Sequence, residues 1–325
     1  MGVRVSAPAR LHLGDIDPFG IGRFGYAPLL ALNEPRTVVE ARKSDGLKII
    51  SPKAKDESEE VEMYANRILK AYDLPGVEIS VISQPPRHSG FGSTTQLALS
   101  IGKAITLAYG LDISAIELLK VLRRTSTGGV YTFQHGGFVV AGGLKVKVGE
   151  PIFERGESLI PPLILHTHFP EEWRFILVRP FESKPSPHGD FEDKTFQRLH
   201  STKPPSGLIH KAYFILASKM IPAILEKDPI AFGSALTEIQ VLVGSIYKPV
   251  QGTIFNPASQ WIIPILKRAG VLGIGQSSWG PSVYGFVESE DKAFTILKKV
   301  EEKVRGKAES FITKVDNLGA RFEIL

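Results

Sequence analysis

Two glycines, set two residues apart between a strand-like run and a helical one, are the residues of this chain best placed to do chemistry. They lie in Pro85-Pro86-Arg87-His88-Ser89-Gly90-Phe91-Gly92-Ser93-Thr94-Thr95-Gln96. Glycine reaches positive φ angles and lets backbone approach a ligand closely. Hydroxyls of Ser93, Thr94 and Thr95 follow at the expected helix start, where the first backbone N–H groups have no intrahelical acceptor. The helix dipole favours an anion at the same place. Residues 89–96 therefore read as a phosphate-binding loop. A glycine turn followed by a Ser/Thr cap is the other reading of the same residues. The spacing matches neither the Gly-x-x-x-x-Gly-Lys-Ser/Thr loop nor the Gly-x-Gly-x-x-Gly dinucleotide fingerprint.

Such a loop needs a strand to deliver it and a helix to receive it. Val77-Glu78-Ile79-Ser80-Val81-Ile82 has strand character, and Leu97, Ile101 and Ile105 recur at helical spacing. Other β-rich runs are 3–6, 37–41 and 47–50, separated by Gly, Pro and Asp. A helix is expected at 57–72, with acids first and Arg67 and Lys70 late. Another is expected at 113–124, capped by Asp112 or Ser114. Residues 136–148 return to a strand pattern, with a hairpin expected around Gly142-Gly143. A second half begins near Leu163, with a buried strand at 173–178 and helices at 206–225, 229–244, 257–269 and 291–304. Gly270 fits a C′ glycine, and 321–324 is a terminal strand. The proline-containing stretch 179–203 reads as one long loop, a lid or binding segment. This order implies an α+β protein of two domains, 1–160 and 161–325.

Composition narrows the class. The chain has 325 residues, 43% hydrophobic and 22% charged, as an ordinary globular protein does. Its net charge of +5 is spread out rather than gathered in a basic run, so no nucleic-acid partner is expected. With no cysteine there is no disulfide, thiolate nucleophile or Cys-ligated zinc. The N-terminus lacks the apolar core of a signal peptide. No uninterrupted apolar run reaches the roughly 18 residues of a membrane span. A cytoplasmic location with no membrane partner is the expectation.

Three segments together carry a resemblance. Ser6-Ala7-Pro8-Ala9-Arg10-Leu11-His12-Leu13-Gly14, the glycine loop, and Gly273-Ile274-Gly275-Gln276-Ser277-Ser278-Trp279-Gly280-Pro281 stand in the order of the three motifs of the GHMP superfamily of small-molecule kinases. Within it, the Gly-x-Gly-Ser-x-Thr-Gln loop, the Gln134-His135-Gly136-Gly137 segment and the Gly-Gln-Ser-Ser-Trp-Gly-Pro string resemble the β-ribofuranosylaminobenzene 5′-phosphate synthases of archaeal methanopterin biosynthesis. The resemblance runs from about residue 3 to the C-terminus. It departs at Phe91, where leucine is usual, at Thr94, where glycine is usual, and at Ala141, where an acid is usual.

This resemblance implies a ribosomal-protein-like βαβ N-terminal domain, a ferredoxin-like C-terminal domain and a cleft between them. It also implies a homodimer. The implied reaction joins phosphoribosyl pyrophosphate to 4-hydroxybenzoate or 4-aminobenzoate, releasing CO₂ and diphosphate with Mg²⁺ as cofactor. GHMP kinases carry an acid upstream of a Gly-Gly pair, whereas residues 125–137 here contain none. A retained phosphate site without that acid fits a transferase better than a kinase, since no sugar hydroxyl needs deprotonation. The alternatives are a GHMP kinase drawing its base from elsewhere and a catalytically silent relative.

Roles follow as expectations. Ser89, Gly90, Gly92, Ser93, Thr94, Thr95 and Gln96 would hold phosphate, and Arg10, His12, Arg87 and His88 would face the anion as catalytic groups. Arg10 is equally open to a surface ion pair. Asp15 and Asp17 are candidate Mg²⁺ ligands or turn residues beside Pro18 and Gly20. Gln134, His135, Gln276, Ser277, Ser278 and Trp279 are candidate substrate contacts, with Trp279 stacking on the benzoate ring or packing in the core.

Overall fold

The computed structural model describes residues 2–50, 55–126, 128–145, 159–182 and 190–325. Its first strand, β1 (Gly2–His12), pairs antiparallel with the long β2 (Phe24–Lys43), and the register shifts between Pro8 and Ala9. That shift falls where β1 passes from one packing environment to another, and the strand then ends at the cleft with Arg10 and His12. The expected run 37–41 is thus the far part of one 20-residue strand.

Seven strands form the first sheet. β11 (Arg321–Ile324), β1, β2, β4 (Val77–Ser83) and β3 (Leu47–Ile50) lie in that order, with β5 (Phe138–Leu144) pairing β2 and β6 (Leu163–Thr167) pairing β5. Both β6 and β11 lie beyond residue 160 in sequence yet hydrogen-bond into this sheet. On one face pack α1 (Lys55–Ala71), α2 (Ser93–Ala108), α3 (Ala115–Val121) and α4 (Gly129–His135), around a core that includes Ile68, Leu97, Ile101, Ile105 and Leu118. Ser114 rather than Asp112 caps α3, its Oγ accepting from the Glu117 N–H at 3.2 Å. The hairpin expected at 142–143 is absent: both glycines continue β5. A Cβ on Gly143, at φ +65°, would meet the carbonyl oxygens of Arg23 and Phe24 at 2.8 Å, so close approach is the reason for that glycine. The strand expected to run to 148 leaves the described residues at 146.

The second sheet has the order β10 (Ala308–Thr313), β7 (Arg174–Pro180), β9 (Val283–Val287), β8 (Gly273–Gln276), with all neighbours antiparallel. This is the strand order of a ferredoxin-like plait, and α9 (Ile263–Ala269) and α10 (Glu290–Val304) supply its helices against Ile176, Val178, Val283 and Val287. Gly270 ends α9 at φ +104°, the expected C′ glycine. Between β7 and α9 the chain inserts α5 (Asp190–His200), a continuous helical stretch Ser206–Leu225 that opens with α6 (Ser206–Ile215) and ends with α7 (Ile221–Leu225), and α8 (Pro229–Gln251). The loop expected over 179–203 therefore contains a helix, and residues 183–189 of it lie outside the described ones.

Ser206–Leu225 and Pro229–Gln251 are each long and apolar enough to cross a membrane by length and hydropathy. Their buried side chains, among them Ile215, Met220, Phe232, Leu236 and Ile239, join Leu11, Leu30 and Phe138 of the first sheet and Phe175 and Phe286 of the second in one core. That shared core fixes the two halves against each other. A buried ion pair adds to it: Arg36 of β2 donates to Asp316, which lies fully buried just before β11 and also accepts from the N–H groups of Leu318 and Gly319. Removing one partner of a buried pair strands the other charge. Asp316→Ala is expected to cost about 3–5 kcal/mol by urea unfolding. A loss under 1 kcal/mol would show that the pair is solvated.

Candidate active site

The three motifs meet at one buried hydroxyl. Ser277 Oγ accepts from the His12 N–H at 3.0 Å and donates to the Gly90 carbonyl at 2.6 Å. The loop presses so closely on the third motif that a Cβ on Gly90 would sit 2.3 Å from the Ser277 carbonyl oxygen. Arg10 N–H donates to the Phe91 carbonyl at 2.9 Å, and Phe91 is buried in the shared core. The Tyr284 hydroxyl donates to the His12 carbonyl at 3.2 Å. End of β1, glycine loop and segment 276–282 thereby form one wall of a cavity of about 620 Å³, a volume in the range of small-molecule sites.

One part of the cavity lining is cationic. Gly92, at φ +67°, precedes α2 with no capping side-chain hydrogen bond among the described residues, and Ser93, Thr94 and Thr95 line the cavity at the helix start. Arg10 faces them, with Nε 3.0 Å from where a Gly92 Cβ would be. Its Nη1 is buried without a hydrogen-bond partner among the described residues. Burial lowers the Arg10 pKa to about 10, against the pull of Glu192, so it stays charged at neutral pH. Arg87, paired with Glu60, and Arg123 and Arg124 add to this part. Arg124 Nε is also buried and unpartnered among the described residues. His12 is not a cation: burial, then Arg10, hold its pKa well below the ordinary value, and Nδ1 accepts from the Gly14 N–H at 3.2 Å. Its proton therefore belongs on Nε2.

Another part of the lining is aromatic and acidic, and its Glu192 lies near enough to Arg10 to favour the charged guanidinium. Tyr247 of α8 meets Trp279 edge-on at 4.8 Å, and Phe196 of α5 meets Trp279 at 5.7 Å and Phe24 at 5.3 Å. All four rings line the cavity. Trp279 Nε1 donates to Glu192 Oε1 at 3.0 Å, which ties α5 to the third motif. Asp15 lies here as well, accepting from the Tyr247 hydroxyl at 2.7 Å. Burial raises its pKa to about 7, although the Tyr247 hydrogen bond favours the charged form.

The cavity brings together Arg10, His12, Arg87, His88, Gly90, Gly92, Ser93, Thr94, Thr95, Asp15, Gln276, Ser278 and Trp279 of the residues expected from sequence. Others fall elsewhere. Ser89 donates its hydroxyl to the Pro86 carbonyl and braces the loop. Gln96 is buried, donating to the Gly129 carbonyl at 3.0 Å, and so joins α2 to α4 rather than meeting phosphate. Gln134 is exposed, and His135 packs on Tyr131 and His166; neither reaches the cavity. Ser277 stands behind the wall. Gln276 is part of the wall, donating to Gln251 at 3.1 Å and to the Ser278 carbonyl at 2.8 Å.

Asp17 is fully buried and filled by the N–H groups of Ile21, Gly22 and Arg23 and by the Tyr213 hydroxyl. It is a turn residue, with no oxygen to offer a metal. Asp15 has one oxygen taken by Tyr247, and the described residues contain no group of three His, Cys, Asp or Glu able to hold an ion. The described residues thus offer no all-protein cage for Mg²⁺, which one or two carboxylates with substrate phosphates can also hold. Sequence reasoning missed Arg123, Arg124, Glu192, Phe196 and Tyr247. The adjacent arginines after α3 were the one signal on view.

The family model for the GHMP kinases N terminal domain matches residues 60–137, and that for GHMP kinases C terminal matches 220–306. The beta-ribofuranosylphenol 5′-phosphate synthase of Methanothermobacter thermautotrophicus is 32% identical over 329 residues, covering 97% of each chain. Its namesake from Methanocaldococcus jannaschii is 29% identical over 97% of this chain and 98% of the relative. Among solved structures, L. major mevalonate kinase in complex with R-mevalonate superposes with a TM-score of 0.71 at 16% identity, covering 96% of this chain and 95% of that one. Homoserine kinase from Cytophaga hutchinsonii gives 0.67 at 18% identity, with 99% and 97% covered. These two share the fold.

A side chain at Gly92 would strain the left-handed backbone by roughly 1–2 kcal/mol and crowd the Arg10 guanidinium. Gly92→Val is expected to lose at least about tenfold in affinity for inorganic diphosphate, measured by calorimetry, with an unchanged circular dichroism spectrum. Unaltered affinity would make the loop a helix cap and nothing more.

Proposed function

The chain belongs to the beta-ribofuranosylphenol 5′-phosphate synthase family, built on the GHMP kinase fold, and from that membership we propose that it is a decarboxylating phosphoribosyltransferase. It transfers the ribosyl 5-phosphate group of phosphoribosyl pyrophosphate to 4-hydroxybenzoate, forming a C-riboside with loss of CO₂ and diphosphate. The relatives' printed name specifies a phenol, which favours the hydroxy over the amino acceptor.

The observation that carries this reading is the mixed lining of the cavity. A cationic helix start in the lining suits a diphosphate, and four aromatic side chains in the same lining suit a benzene ring. Attack and departure occur on opposite sides of the anomeric carbon, so ring and diphosphate belong on opposite sides of the ribose. The N–H groups of α2 and the Arg10 guanidinium take up the charge that grows on the departing diphosphate. Arg123 and Arg124 add charge for the second phosphate. The ring carbon bearing the carboxylate attacks the anomeric carbon, and loss of CO₂ restores aromaticity. No carboxylate in 125–137 is required, because no alcohol is being deprotonated. Mg²⁺ arrives as the magnesium salt of phosphoribosyl pyrophosphate, as part of the substrate, in keeping with the lack of a ligand cluster among the described residues. A cytoplasmic homodimer, the superfamily habit, completes the reading.

Incubation with phosphoribosyl pyrophosphate, Mg²⁺ and carboxyl-labelled 4-hydroxybenzoate is expected to release labelled CO₂. Release should stop with EDTA and return with added Mg²⁺. Plain benzoate, lacking a para donor to push electrons to the attacking carbon, should react at under about a hundredth of that rate, a gap of roughly 2.7 kcal/mol in barrier. Equal rates would refute electrophilic substitution, and ATP consumption with mevalonate or homoserine would refute the transferase.

A further inference from the structure

Asp15 is a half-buried acid on the cavity wall for which the steps above have no task. It follows β1 and sits beside Tyr247 and Trp279 in the aromatic part of the lining. Oδ2 accepts from the Tyr247 hydroxyl, while Oδ1 is buried with no hydrogen-bond partner among the described residues. Leaving a buried acceptor unsatisfied is unfavourable; the Tyr247 hydroxyl and the Asp17 backbone N–H hold the carboxylate, and Oδ1 keeps room for one more donor. The titratable groups facing Asp15 are Asp17 just beyond it, Glu192 from α5, Tyr213 from α6 and Tyr247 from α8. None of these is a cation. This part of the lining therefore repels the acceptor's carboxylate and receives a hydroxyl, which sets the ring with its para substituent toward Asp15 and its carboxyl toward Arg10.

Resting on the transferase reading, we propose that Asp15 is the general base for the para-hydroxyl of 4-hydroxybenzoate, binding it through Oδ1 and taking its proton as the carbon–carbon bond forms. The O–H bond breaks and its proton moves to Asp15. The oxygen's electron pair pushes through the ring to the carbon bearing the carboxylate, which bonds to the anomeric carbon as the bond to diphosphate breaks. The bond to CO₂ then breaks, its electrons restore the aromatic ring, and the para oxygen recovers its proton from Asp15. Protons and electrons balance with no other reactant.

Burial supports the role. An ordinary aspartate, with a pKa near 4, is a poor partner for a phenol near 10, and a pKa of about 7 narrows that gap from the acid side. A para-amine differs, because its lone pair pushes into the ring without first losing a proton. The base is needed for one acceptor and dispensable for the other.

The test compares kcat/KM for 4-hydroxybenzoate and 4-aminobenzoate, each with phosphoribosyl pyrophosphate and Mg²⁺, in the wild type and in Asp15→Asn. The ratio of hydroxy to amino acceptor is expected to fall about 100-fold or more, the ordinary worth of a general base. In the wild type, kcat/KM for the hydroxy acceptor should rise with pH through about 7, as Asp15 deprotonates. Tyr247→Phe removes a hydrogen bond that favours the carboxylate, so this limb should move to higher pH. That shift tests the role even if Asp15→Asn folds poorly. Equal slowing of both acceptors, or a limb unmoved in Tyr247→Phe, overturns the base. Failure of the wild type to release CO₂ from either acceptor refutes the transferase reading itself.

Discussion

The Ser277 hydroxyl, held between the His12 N–H and the Gly90 carbonyl, sets the distance between segments that lie 265 and 187 residues apart in sequence. This side chain touches all three segments, and the Arg10 N–H to Phe91 carbonyl and Tyr284 hydroxyl to His12 carbonyl bonds reinforce it pairwise. The loop cannot open without leaving a buried N–H and a buried carbonyl unpaired, each costing about 1–3 kcal/mol. Gly90 is the steric counterpart of this bond, because only a residue without a Cβ leaves room for the Ser277 carbonyl. The start of α2 is therefore aimed before any ligand arrives, which is what stabilising a charge during reaction requires.

From that fixed wall the cavity gains two kinds of lining. Arginines gather where the helix N–H groups emerge, and the acids Asp15 and Glu192 lie among rings. In the proposed reaction, the two kinds of lining let one site take two anionic substrates that would otherwise compete for the same cations. Trp279 holds α5 against the third motif through Glu192 and Phe196, and in the proposed reaction this cover shields the attacking ring from water.

How much of this was legible depended on whether the cause was local. Gly90 and Gly92 were readable because positive φ before a helix leaves a mark in adjacent residues. Several strands were readable from periodicity and their grouping into two sheets only from the resemblance, and β6 and β11 join the first sheet through pairings that no window of sequence contains. Gln96 and Gln134 were misassigned because motif membership does not say which face of a helix meets the cavity: one turns into the core and the other to solvent. Asp17 read equally as a metal ligand or a turn residue beside Pro18 and Gly20, and its four donors bear out the turn. Tyr247 lies beyond 244, where the expected helix ended although α8 runs on to Gln251, and Glu192 lies in a stretch that read as loop. Only tertiary packing gives them their roles.

The central claim is that the cleft joins a ribose carbon to a ring carbon. Product formed from phosphoribosyl pyrophosphate labelled with ¹³C at the anomeric carbon, and 4-hydroxybenzoate labelled with ¹³C at the carboxyl-bearing ring carbon, tests it by NMR. The account predicts one-bond coupling between the two labels in a product that has lost its carboxyl carbon. A product that keeps the carboxyl group and shows no such coupling, as an ester or an O-riboside would, contradicts it.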